Sequence, residues 1–206
     1  LVGSEMCIRD SDQTAAIDLL LKRNSMKLVQ APGPSDEELA TILQAAMTAP
    51  DHGALRPWRF KVIRGEEAVQ QFAELSFKHR QASAMPFTEE KLASSKAWLA
   101  DVPLIIAVAA QINHQVIEKI DETEQLLATG AAMTQILNAC HFLGYGAFWS
   151  TGIATYIEDF QTAIGFDPLD YRFMGFIAIG TPKMAIPQKE RPDYQDFTTL
   201  WTGSGN

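Results

Sequence analysis

The stretch "APDHGALRPWRFKVIR", residues 49–64, sets a proline-bounded loop directly against a strand. Pro50 and Pro57 bracket the loop, and Gly53 gives it freedom to turn. From Trp58 the pattern alternates, placing Trp58, Phe60 and Val62 on one face of an extended segment. The loop carries Asp51, His52 and Arg56, which serve either chemistry or turn geometry.

Upstream, residues 12–23 follow a helical period through Ile17, Leu20 and Leu21. "APGPS" (31–35) then breaks the chain. Ser35 with Glu38 forms a capping box, and Leu39, Ile42, Leu43, Ala46 and Met47 make an amphipathic stripe behind it. Downstream, helices are expected at 66–82 and, more polar, at 88–100. "PLIIAVAAQI" (103–112) is apolar without alternation, as in a strand buried on both faces. A long helix spans about 121–143, apolar nearly all round, with Gly144 as its stop. Such a helix belongs in the interior or in a subunit interface. "GAFWS" (146–150) and "RFMGFIAIG" (172–180) read as strands. Thr155 with Glu158 is a second capping-box match, ending at Gly165. The tail carries Pro182, Pro187 and Pro192 and is expected to be extended. These elements predict an α+β fold, a small central mixed sheet surrounded by helices.

Composition limits the function. The chain has 206 residues and a net charge of −8, which speaks against a general nucleic-acid binder. No apolar run reaches membrane-spanning length. Cys7 and Cys140 have no metal spacing, and a reducing cytoplasm is the expected compartment. Residues 1–11, "LVGSEMCIRDS", have no helical or strand period and resemble a translated adapter read. They are expected to be a non-native segment ahead of a single domain, residues 12–206.

No nucleotide loop, nucleophile elbow or zinc-protease motif occurs, so hard chemistry would need a bound cofactor. Four stretches are candidates for holding one. In "KRNSMK" (22–27), Arg23, Ser25 and Lys27 alternate without an acid among them. Such a row could grip a phosphate or a conjugated ring with electron-rich carbonyls; on the pattern alone, a helix end whose cations answer the dipole is the better account. Lys189 and Arg191 in "QKERP" (188–192) repeat the spacing, either as a second clamp or as a charged tail. The loop at 49–57 is the third. "WSTGI" (149–153) is the fourth, with a glycine that allows close backbone approach to a ligand.

In this order, "LLLKRNSMK" (19–27), "ILQAAMTAPDHGALRPWRFKVI" (42–63), "HFLGYGAFWSTG" (141–152) and "GFIAIGTP" (175–182) resemble the FMN-dependent nitroreductase family, in particular its short bacterial members. The resemblance implies a nitroreductase-like α+β homodimer with FMN at the subunit interface and an extended C-terminal tail. It implies FMN binding by Arg23, Asn24, Ser25 and Lys27, by Thr48 and His52 from the partner subunit, by Trp149, Ser150, Thr151 and Gly152, and by Lys189 and Arg191. It further implies ping-pong transfer from NADH or NADPH through FMN to nitroaromatic, quinone or related small acceptors, with no catalytic side chain. A flavin-binding sensor or storage protein is the alternative. Asn24 stands where relatives often have Arg, and Thr48 where a cation would reach further. The relatives' Asn and Lys contacts before the second long strand have no counterpart in "SSKAW" (94–98).

Overall fold

The computed structural model describes residues 13–186 and 188–203. Residues 1–11, expected to be non-native, lie outside the described residues. The first described helix, α1, covers 13–22. It is followed by β1 (Val29–Gln30), α2 (Asp36–Ala46), β2 (Trp58–Arg64), α3 (Glu66–Ala82) and α4 (Glu89–Ala100). Then come β3 (Leu104–Gln111), α5 (Glu122–Phe142), β4 (Gly146–Ser150), α6 (Glu158–Ala163) and β5 (Tyr171–Pro182).

The strands form one five-stranded sheet, and every pairing in it is antiparallel. The α+β class is as expected, but the sheet is not mixed. Connections between paired strands here run through whole helices, and apolar pattern alone does not fix strand direction. β5 is central and pairs with β1, β3 and β4. β3 is buried on both faces, and its side chains sort by parity. Leu104, Ile106 and Val108 join a core with α2 and α5. Ile105, Ala107 and Ala109 join a second core with α3, α4 and α6. The result is a helix–sheet–helix sandwich.

Local signals account for most boundaries. The Ser35–Glu38 capping box is made in both directions, at 3.2 and 2.8 Å. Thr88 caps α4 through the Lys91 amide, and Gly144 (φ 84°) follows α5. On β2, Trp58 is buried and Phe60 half-buried, whereas Val62 on the same face is 42% exposed. The capping box expected at Thr155 is absent. The N-cap of α6 is Ile157, and Thr155 lies inside, with its hydroxyl buried and unpartnered. The turn from Ala154 to Ile157 comes first, and Gln161 uses the Thr155 carbonyl instead. Among the described residues after β5, a short 3-10 turn covers Tyr194–Phe197.

Candidate functional site

The segment after α1 is pinned along β4. The Met26 amide donates to the Ala147 carbonyl at 2.9 Å, and Gly146 leaves the room that Met26 and Val29 fill. A side chain at 146 would bring its Cβ to 2.7 Å from Val29 and 3.0 Å from Met26. An extended segment held this way shows alternate residues to opposite sides. Asn24 and Met26 are buried, Ser25 and Lys27 are exposed, and Arg23 is half-buried. The row expected from the spacing is therefore formed.

Asn24 does not belong to that row. It faces inward, donates to the Lys22 carbonyl at 3.1 Å and accepts from the Arg191 guanidinium at 3.0 Å. The same Arg191 nitrogen donates to the Arg23 carbonyl at 2.6 Å. Asn24 thus ties the end of α1 to the tail, and one Arg191 nitrogen serves this join. Lys189 is exposed.

Lys27 is held from below by Trp98 on α4. The indole N–H donates to the Lys27 carbonyl at 2.9 Å, while the Lys27 ammonium lies 4.5 Å from the Trp98 ring centre, a cation–π contact. Trp98 is in turn stacked on Phe176 and edge-on to Phe148. Above this floor is a cavity of about 230 Å³, which Lys27 shares with residues 149–153, Phe87, Lys91 and Ser95. Burial, and then the nearby Lys91 charge, hold the Lys27 ammonium below the usual lysine pKa.

Trp149 and Ser150 reach the cavity through a bulge. The β3–β5 register shifts after Val108, which pairs Gly175, while Ala109 pairs Phe173 and Met174 is left over. The Met174 carbonyl accepts the Trp149 indole N–H at 2.8 Å. Gly175 has φ 99°, and any Cβ there would collide with the Ser150 carbonyl oxygen. Gly152 is exposed at the rim, with nothing within 4 Å of the place a Cβ would take.

Thr48 and His52 are not brought to this cavity. Thr48 donates to the Ala45 carbonyl and accepts from Gln135, and His52 is 2.7 Å from Glu124. Both are exposed on the α2–α5 side. Arg23 lies near His141, whose two ring nitrogens are buried without a hydrogen bond. Burial and then the Arg23 charge lower the His141 pKa, and the Leu19 backbone offsets part of this.

Sequence reasoning missed Phe87, Lys91, Ser95 and Trp98. The signal was present: Lys91, Ser95 and Trp98 stand at i, i+4 and i+7, one stripe of a helix. The lysine before β3 that lines this cavity is Lys91. Lys96 instead lines a groove against α3.

These features define an α+β protein whose sheet edge and α4 enclose an aromatic cavity topped by cations. The chain belongs to the nitroreductase family, whose model matches residues 20–181. It is 33% identical over 189 residues to YdjA of Escherichia coli K12, provisionally named an NAD(P)H nitroreductase, covering 90% of this chain and 99% of that protein. A Haemophilus influenzae protein with the same provisional description is 32% identical over 187 residues, 89% of this chain and 98% of its own. In structure, the chain resembles a nitroreductase-like family protein from Bacillus cereus, with a TM-score of 0.76 at 22% identity, over 91% of this chain and 96% of that one. It also resembles a provisionally named nitroreductase from Desulfovibrio desulfuricans, solved with FMN, with a TM-score of 0.69 at 22% identity, over 92% and 98% of the two chains.

Proposed function

We propose that the protein is an FMN-dependent NAD(P)H oxidoreductase acting on small electrophiles such as nitroaromatics and quinones. The observation that carries this reading is the convergence of Lys27, Lys91, Trp98 and residues 149–152, from three distant stretches, on one cavity. The residues suit FMN. A flat ring needs flat apolar walls, which Trp98 and Trp149 offer. Its electron-rich edge needs a cation, and Lys27 is held in place for that by its own carbonyl and by the indole below. Arg23 and Ser25 continue the same row and would take the phosphate and a polar edge. When bound, FMN supplies the redox chemistry, taking hydride from NADH or NADPH and passing electrons to the acceptor.

The chain's own part is binding, orientation and electrostatics. Lys27 stabilises negative charge at the ring edge, which favours the reduced form. Arg191 does its work at one remove, by gripping the Arg23 carbonyl and Asn24 so that the row keeps its direction. Gly175 and the Met174 carbonyl fix Trp149 at the wall. No lining side chain is placed as a nucleophile, and protons can come from solvent.

We further infer that the functional unit is a homodimer in which a second copy brings Thr48 and His52 to the cofactor. Supporting this, both residues are exposed, and Met47 and Leu127 on the same α2–α5 side are 42% and 68% exposed. Light scattering tests the dimer: a monomer that still retains FMN would rule it out. Reconstitution with FMN tests the function. Uptake with yellow colour, then anaerobic bleaching by NADH or NADPH, is expected. Binding without bleaching by either would indicate a sensor or storage protein instead.

A further inference from the structure

Trp98 grips Lys27 at two points. Its indole N–H donates to the Lys27 carbonyl at 2.9 Å, and its ring centre lies 4.5 Å from the Lys27 ammonium. The first contact fixes the backbone from which the side chain springs, and the second fixes the charged end. The ring has little freedom of its own. Phe176 stacks on it at 6.0 Å with 21° between the planes, Phe148 meets it edge-on at 5.6 Å, and Trp98 is buried. Trp98 stands in the last turn of α4, 71 positions from Lys27, so the row after α1 does not supply this grip by itself. A carboxylate would hold an ammonium as firmly but would cancel its charge. An aromatic face holds it through the ring quadrupole and leaves the charge intact. Among the described residues, no ion pair includes Lys27. Asp101 lines a neighbouring cavity together with Lys27 and Trp98, and it is engaged with Lys183. An ammonium partly removed from water in this way also acts on its neighbours with less screening.

We propose that Trp98 is a positioning residue that sets the reduction potential of the bound flavin, by holding Lys27 at the cavity without neutralising it. The proposal rests on the FMN reading above, in which Lys27 meets the electron-rich edge of the ring. Reduction adds negative charge at that edge, so a cation kept close and charged binds the reduced ring more tightly than the oxidised one. That difference in affinity is the shift in potential. Trp98 acts through Lys27 and itself exchanges no proton and no electron. A leucine at position 98 would release the ammonium towards water, which would screen its field.

The affinity of each protein for oxidised FMN and, anaerobically, for chemically reduced FMN gives a reduced-to-oxidised ratio that needs no turnover. The ratio should fall about tenfold in Trp98→Leu, which for a two-electron couple lowers the potential by about 30 mV. In Trp98→Phe, which keeps a ring for the ammonium but loses the indole N–H, it should fall about threefold. In a Lys27→Met background, Trp98→Leu should leave the ratio unchanged, because no ammonium remains to be placed; an effect of Trp98 on the cavity wall alone would persist there. An unchanged ratio in Trp98→Leu, or an equal fall in the Lys27→Met background, would overturn the proposal. If Trp98→Leu does not fold, Trp98→Phe decides the matter against the same background. A second readout needs no flavin: urea unfolding of Trp98→Phe, Lys27→Met and the double variant. The double variant should be more stable than the sum of the two single losses implies, and strict additivity would contradict the two-point grip. If wild type took up no FMN, the proposed function would fall and the claim on the potential with it, whereas normal uptake with an unchanged ratio would remove the role of Trp98 alone.

Discussion

Gly175→Ala should damage both the fold and the cavity, and the cost can be worked out in advance. Gly175 has φ 99°, a backbone conformation that L side chains rarely adopt. Placing alanine there costs about 1–3 kcal/mol in strain. The added Cβ would also press on the Ser150 carbonyl and come within 3.1 Å of the Trp149 indole nitrogen. Neither neighbour can swing aside, because Ser150 is paired with Phe176 and the indole is bonded to Met174. Overpacking of this kind adds about 1–3 kcal/mol. The total, about 2–6 kcal/mol, is a large share of the roughly 5–15 kcal/mol typical of a whole domain. Gly144→Ala separates the two contributions. Its φ is 84°, but nothing lies within 4 Å of its Cβ position, so only strain remains, about 1–2 kcal/mol. Urea unfolding of both variants measures the difference, and Trp149 emission should change in Gly175→Ala alone. A Gly175→Ala variant no less stable than Gly144→Ala would refute the argument that the bulge is built around a missing side chain.

Other consequences are open to test. Arg23→Ala should weaken FMN binding by roughly 1.5–3 kcal/mol, about ten- to 150-fold, through loss of a charge-assisted contact; unchanged affinity in a fluorescence titration would remove Arg23 from the site. Anion binding at Lys27 should decline as pH rises through its lowered pKa, earlier than for a free lysine, and Lys91→Gln should move that decline to higher pH by removing the second cause of the shift. Between the folded pKa and the ordinary value of 10.5 the unfolded chain holds more protons at Lys27, so its contribution to stability rises with pH there, checked by unfolding at alkaline pH. Cys140 is fully buried, with its thiol pushed up to about 12, so in a Cys7→Ser background the native protein should resist thiol reagents and react only on unfolding.

Much of this was readable from the chain, because the decisive signals are local. Alternation placed Arg23, Ser25 and Lys27 on one side, and the structure adds that Asn24 and Met26 are the buried partners of that pattern. The uninterrupted apolar run 103–112 became a strand buried on both faces, and the Ser35 capping box is made as read. Where the reading failed, the determinant was distant in sequence. Thr155 has the spacing of a cap, but a preceding turn and burial take it inside. Strand direction depends on how α5 returns the chain from β3 to β4, which local pattern does not encode. Lys91 looked like an ordinary cation on a polar helix, because its meaning comes from Lys27, 64 positions earlier, and Trp149, 58 later, facing the same space. Asn24 could not be placed without its partner Arg191, 167 positions away.

The most direct test of the central claim is an anaerobic titration of FMN-reconstituted protein with NADH and with NADPH, followed at the flavin absorbance. The account predicts that the protein takes up FMN and that about one equivalent of at least one dinucleotide bleaches it fully, with colour restored by a nitroaromatic or quinone. A protein that takes up no FMN, or whose bound FMN stays yellow with both dinucleotides, would contradict it.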